Sequence, residues 1–236
     1  MDRMGEIAMK KMTLVLAIMA ALSFTGCGTT NTTVEKENTT VKVENYKISN
    51  ADEALKILKE GNKRFVDDKS ELINVTNERR EQLTEGQSPY AVVVSCSDSR
   101  VTPTNVFNTG LGEIFDVRIA GNVVDADALG SIEYGAEHAG APLIVVMGHE
   151  KCGAVTAEYE AIKENKPVEG NIGTLISKIA PSVEGSSSID EAAHKNVTNT
   201  ANQIKEDPVI KHLIEEGKVK VVEAFYNLNG EVTFGE

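Results

Sequence analysis

The sequence predicts an α/β fold: a mostly parallel β-sheet flanked by helices and preceded by an N-terminal helical arm. Three observations predict it. The apolar runs at residues 90–94 and 143–147 are too short for buried helices and show no polar alternation, which is how strands covered on both faces read. Such runs alternate with stretches of helical periodicity at 126–138, 152–164 and 189–206, the order that gives a parallel sheet. Ahead of the first strand, residues 51–67 carry Ala54, Leu55, Leu58 and Phe65 on one stripe behind a capping Ser49 or Asn50, a helix that starts the domain.

Taken in order, the chain opens with Lys10 and Lys11 before an apolar run over residues 12–24, broken only by Thr13 and Ser23. The run is too short to cross a bilayer and has the layout of a signal peptide, residues 1–26. Met9-Lys10-Lys11 is a better opening for it than Met1. The run ends Leu22-Ser23-Phe24-Thr25-Gly26-Cys27. Small residues directly before a cysteine resemble the lipobox of bacterial lipoproteins, with Phe24 where leucine is usual. Cys27 is therefore the expected lipidation site, and the protein is expected to be exported and anchored to the extracytoplasmic face of a bacterial membrane. A plain secretory signal with an incidental cysteine is the alternative. Residues 27–48, rich in Thr, Asn, Glu and Lys, read as a flexible tether. The folded domain covers residues 49–236.

Within it, a second helix is expected over 77–84, then a strand over 90–95, a loop and short turn through Pro103, and a strand over 114–119. The helix 126–138, the strand 143–147 and the helix 152–164 follow. Helices over 170–180, 189–206 and 208–216 come next, the last stopped by Gly217. A strand over 218–225, a turn at 227–230 and a short strand over 232–234 close the chain. No internal repeat is visible.

Charge narrows the partners. The full chain of 236 residues carries −12. Removing residues 1–26 takes away 3 basic and 2 acidic residues, leaving 21 against 34 and a net charge of −13. An acidic surface argues against nucleic acid and against docking on anionic lipid. The remaining 210 residues (27–236) suit one domain with a sizeable core.

The chemistry lies in two stretches, Cys96-Ser97-Asp98-Ser99-Arg100 and His149-Glu150-Lys151-Cys152. Each follows a predicted strand, where open α/β sheets place their sites. Two thiolates and an imidazole are good zinc ligands, and three protein ligands leave the fourth tetrahedral position open, as in catalytic zinc sites. Zinc in such a site lowers the pKa of its water towards neutrality. Cys152 also falls near a helix N-terminus, where the dipole favours thiolate. A Cys96–Cys152 disulfide is the competing reading for an exported protein, but it leaves His149, Asp98 and Arg100 unused. Asp98 can reach a metal held by Cys96, and Arg100 can hold it away as a bidentate ion pair.

These stretches resemble the β-class carbonic anhydrases. Gly86-Gln87-Ser88-Pro89, Asp116-Val117-Arg118-Ile119-Ala120-Gly121-Asn122, Ser131-Ile132-Glu133-Tyr134 and Ala224-Phe225-Tyr226 extend the resemblance over residues 51–234. It implies one Zn²⁺ per subunit on Cys96, His149 and Cys152, and reversible hydration of CO2 to bicarbonate and a proton. Asp98 would be the fourth ligand in a closed state or the partner of Arg100 in an open one. Gln87 would donate to the substrate oxygen, often across a dimer seam. Phe115, Ala120 and Tyr134 would line the CO2 pocket, and Gly153 would bring a backbone amide near the metal-bound ligand. Arg118 would serve the dimer interface or the site. The resemblance further implies a homodimer or dimer of dimers whose helical arms wrap the partner. Members regulated by bicarbonate carry a tryptophan three residues before the first cysteine; Val93 stands there, so the chain resembles the unregulated, plant-like subtype. Two other functions stay open: hydrolysis of CS2 or COS on the same scaffold, and non-catalytic zinc binding. His138, His194 and His212 have no motif context and read as solvated or partly packed side chains, not ligands, with a proton shuttle the one further role open to any of them.

Overall fold

The computed structural model describes residues 48–235; the signal peptide, Cys27 and nearly all of the tether lie outside the described residues. Five strands form one sheet in the order β2-β1-β3-β4-β5. They are β1 (Ala91–Ser95), β2 (Ile114–Arg118), β3 (Leu143–His149), β4 (Lys220–Tyr226) and β5 (Val232–Phe234). The first four are parallel, and β5 pairs antiparallel with β4. The turn before β5 is closed by Gly230 N–H donating to the Asn227 carbonyl at 2.8 Å.

Every residue of β1 and β3 is buried, because side chains alternate between two covered faces. Val92, Val94, Ile144 and Val146 point to one apolar cluster, packed under α4 (Ala126–Glu133), α5 (Gly153–Lys163), α8 (Ile189–Glu206) and α9 (Pro208–Glu215). Ala91, Val93, Leu143, Val145 and Met147 point to the other, under α1 (Ala51–Val66) and α3 (Pro103–Val106).

Asn50 caps α1, accepting from the N–H groups of Asp52 (2.8 Å) and Glu53 (3.3 Å). The stripe of α1 is spent on its own chain: Ala54 and Leu58 are fully buried in the second cluster. Asn62 ties the helix down, donating to the carbonyls of Val106 (3.1 Å) and Gly230 (2.8 Å) and accepting from Val232 N–H (3.0 Å).

Beyond shifts of a residue or two at other element ends, three boundaries differ from the sequence reading. The helix from 126 does not stay α to its end: beyond Glu133 it widens into a π-helical turn over Tyr134–His138. The helix expected over 170–180 is broken into α6 (Gly170–Ile176), a 3₁₀ turn (Ser177–Ile179) and α7 (Ala180–Val183). Pro181 has no N–H to give the Ser177 carbonyl, so the α-ladder cannot run through. β3 extends to His149 because β4 keeps pairing with it, up to His149↔Tyr226. The short α2 (Asn77–Gln82) and the 3₁₀ turn after it complete the described elements before β1.

Candidate metal and active site

The strand order sets the site. The chain steps from β1 outward to β2 and then returns to the other side of β1 with β3. The switch point of such a sheet lies between β1 and β3, beyond their carboxyl ends. Cys96 follows the last residue of β1, and His149 is the last residue of β3.

Lys151 then turns the chain, with φ 54°, and Cys152 becomes the residue before α5. The ligand atoms of Cys96, His149 and Cys152 all lie within 4.8 Å of one another, and all three residues are buried. Among the described residues this is the one group of three that can hold a metal ion. The cysteines are free thiols with their sulfurs 4.0 Å apart, so the disulfide reading is not what the structure holds.

The donor set fits zinc. His149 Nδ1 lies 2.9 Å from the Glu150 carbonyl, a contact that requires the proton on Nδ1. The fully buried Nε2 has no hydrogen-bond partner, as a ring nitrogen aimed at a metal should be. Between the two thiols, Cys152 Sγ donates to Cys96 Sγ. Cys96 is held down to about 4, chiefly by the hydrogen bond from Cys152, with His149 and the Gly121 N–H assisting against burial. Cys152 is driven upward by Cys96 and by burial, while the amides of Val155 and Ala154 at the start of α5 pull the other way. A divalent cation held here would take the place of the thiol protons and keep both sulfurs as thiolates.

Asp98 stands beside this group, its Oδ2 4.0 Å from His149 Nε2. Arg100 holds both carboxylate oxygens: Nε donates to Oδ1 at 2.9 Å and Nη2 to Oδ2 at 2.6 Å. The Arg100 backbone N–H adds a third bond to Oδ1 at 2.9 Å. The guanidinium beside Asp98 holds its carboxyl far below the usual range. Arg100 Nη2 also donates to the Lys151 carbonyl at 3.3 Å, tying the two motif loops together.

The other residues singled out from sequence divide in two. Ala120 lies in the 3₁₀ turn after β2, directly before the Gly121 whose N–H meets the Cys96 sulfur, and Gly153 is the first residue of α5, directly after Cys152. Phe115, on β2, and Tyr134 pair with ring centroids 6.1 Å apart, but Tyr134 is 52% exposed. Gln87 is not brought to the site of its own chain. It is exposed and precedes β1, at the opposite end of the sheet from Cys96, roughly 16 Å of strand away at the usual rise.

Arg118, left open between site and interface, has its guanidinium on the Cys96 loop. Nε donates to the Cys96 carbonyl at 3.2 Å, and Nη2 to those of Asp98 (2.8 Å) and Val101 (3.1 Å). No local pattern signals the supporting amide of Gly121, whose N–H lies 3.2 Å from the Cys96 sulfur. His194 stacks on Phe225 with centroids 3.8 Å apart, in a cleft of about 460 Å³ lined by α8, β4 and β5 residues that include none of the ligands.

A family model for carbonic anhydrase matches residues 91–232, spanning both ligand motifs. Carbonic anhydrase 2 of Mycobacterium tuberculosis is 39% identical over 182 residues, covering 75% of this chain and 88% of that protein. The carbonic anhydrase of Mycolicibacterium smegmatis is 39% identical over 186 residues, covering 76% and 90%. A solved Coccomyxa β-carbonic anhydrase, in complex with acetazolamide, superimposes with a TM-score of 0.57 at 25% identity, covering 65% of this chain and 74% of that one. The chain therefore belongs to the β-carbonic anhydrase family, zinc enzymes of reversible CO2 hydration.

Proposed function

We propose that Cys96, His149 and Cys152 hold the zinc, and that Asp98 and Arg100 work beside it as an orienting group and its clamp. The carrying observation is the unpartnered His149 Nε2 facing two sulfurs, next to a carboxylate whose oxygens are both taken by Arg100. Bound there, zinc supplies a Lewis acid that makes water a nucleophile at neutral pH. Asp98, kept ionised by Arg100, is an acceptor only. It takes the hydrogen bond from the attacking oxygen and turns a lone pair towards the carbon of CO2. Phe115, Ala120 and Tyr134 would give the uncharged substrate an apolar wall, and the Gly153 amide would donate to the oxygen that gains charge. Stopped-flow CO2 hydration by the zinc-loaded chain tests this reading; a rate no faster than buffer alone would sink it.

The protein works as a homodimer or dimer of dimers in this reading. Three features support a second copy at the β2 side: β2 is a sheet edge, Tyr134 is exposed beside Phe115, and Gln87 lies far from its own zinc ligands. Gln87 then serves the neighbour's site. Sedimentation velocity should show a dimer or larger species that carries the activity; an active monomer would contradict it. We also propose that residues 1–26 are a signal, that residues 27–48 tether the catalytic domain 49–236, and that Cys27 is lipidated after export. Mass spectrometry of the native N-terminus should find a modified Cys27; a chain still beginning at Met1 or Met9 refutes export.

A further inference from the structure

Asn196 is, with Thr200, one of two polar residues buried on the mostly apolar inner face of α8. It is 2% exposed and shares the inner side of α8 with Ala193, Val197, Ala201 and Ile204. An amide buried there costs stability unless its groups are paired, and these are. Nδ2 donates to the Gly121 carbonyl at 2.7 Å, and Oδ1 accepts from Ser182 Oγ at 3.3 Å. Ser182 Oγ in turn accepts from Asn199 Nδ2 at 2.8 Å. Asn196 is thus oriented from α7 and α8, and its donor end is aimed at one backbone carbonyl.

That carbonyl belongs to the residue whose N–H meets the Cys96 sulfur. Gly121 has φ 69° and ψ 20°, a left-handed conformation that glycine takes without penalty but also leaves easily. A Cβ there would stand 2.7 Å from Ile179 Cδ1 and 3.1 Å from Ala154 Cβ, so no other residue substitutes readily. The glycine is therefore needed for space, and its softness must be removed by something else. Asn122 N–H closes the turn on the Ile119 carbonyl at 2.9 Å. Asn196 fixes the carbonyl on the far side of the Gly121 Cα.

We propose that Asn196 is a positioning residue for the metal centre: by anchoring the Gly121 carbonyl it keeps the Gly121 N–H on the Cys96 sulfur. This rests on reading Cys96 as a metal ligand. An N–H bond to a ligand sulfur fixes its direction and draws charge from it, as supporting groups around a metal do. Loss of the anchor lets Gly121 rotate, and the sulfur becomes a less constrained, more electron-rich donor.

The full chain loaded with Co²⁺ gives the readout, because sulfur-to-cobalt charge-transfer absorption follows the charge on the thiolates. Absence of that absorption in the parent would overturn the ligand reading itself, separately from this proposal. Asn196→Ala removes the donor, and Asn196→Asp keeps the size but offers Gly121 no N–H. Both are expected to shift the absorption and to weaken zinc by about tenfold in chelator competition, the lower end for supporting groups. Ile204→Val, a cavity on the same helix, should lower stability without moving either quantity. Parent-like absorption and zinc affinity in the Asn196 variants, or equal shifts in Ile204→Val, would overturn the proposal. Should both Asn196 variants fail to fold, the parent loaded with an NMR-active cadmium isotope decides it. Coupling from cadmium to the Gly121 amide proton, and slow exchange of that proton, are expected; their absence overturns it.

Discussion

Cys96→Ser is expected to lose zinc and CO2 hydration together. A serine hydroxyl stays protonated near neutral pH and is a far poorer zinc ligand than thiolate, so the three-ligand set becomes two. Cys96 follows β1 at the switch point, is 4% exposed, and receives the Gly121 N–H; the one other cysteine among the described residues, Cys152, already belongs to the same donor group. Zinc affinity should fall by more than about 100-fold, beyond what losing a supporting group costs. The sheet should survive, because the strands are held by two apolar clusters that extend well beyond the site. Elemental analysis of the purified variant, with circular dichroism to verify its fold, makes the comparison. Full zinc occupancy in a folded Cys96→Ser chain would show that the metal is held elsewhere.

Arg100→Ala should retain zinc and lose most of its activity. Three hydrogen bonds from Arg100 reach the Asp98 carboxylate, two of them from the side chain. Removing the side chain leaves the carboxylate without its bidentate partner, with Oδ2 already 4.0 Å from His149 Nε2. The nearest cation is then the metal, and Asp98 becomes a fourth ligand where water should be. The pair has more consequence than a surface salt bridge, because the Asp98 side chain is only 18% exposed and stands against the ligands. A drop of about 100-fold in kcat is expected, the scale of removing one preorganised electrostatic partner. Asp98→Ala should also retain zinc, since Cys96, His149 and Cys152 remain, but lose the group that orients the attacking oxygen. Stopped-flow rates across roughly pH 6 to 9, the range in which zinc-bound water titrates, separate the two effects. An Arg100→Ala chain as fast as the parent throughout that range would reduce the pair to a structural contact.

Much of this was legible before any coordinates. The apolar runs of β1 and β3, the capped α1 and the full length of α8 follow from local pattern, because each element buries a face whose period is written in the residue order. Cys96, Asp98, Arg100, His149 and Cys152 were legible as chemistry because the motifs are short and each sits on one loop. The break at Pro181 was also available locally, in a residue that cannot donate to Ser177.

What the sequence determined by itself is the set of local facts: which segments are strands and helices, which residues offer donor atoms for a metal, and which arginine can clamp which carboxylate. Tertiary structure alone decided what meets what. The order 2-1-3-4-5 brought the ends of β1 and β3 together, and placed Gln87 at the far end of the sheet from its own zinc ligands. It brought Arg118 onto three carbonyls of the Cys96 loop, and Asn196 from α8 onto Gly121. Such contacts leave no periodicity to read, since they join residues far apart in the chain. Their only trace is a polar residue where the local pattern asks for an apolar one. Asn196 on the inner stripe of α8 is that trace, and only the fold shows which carbonyl it is buried to hold.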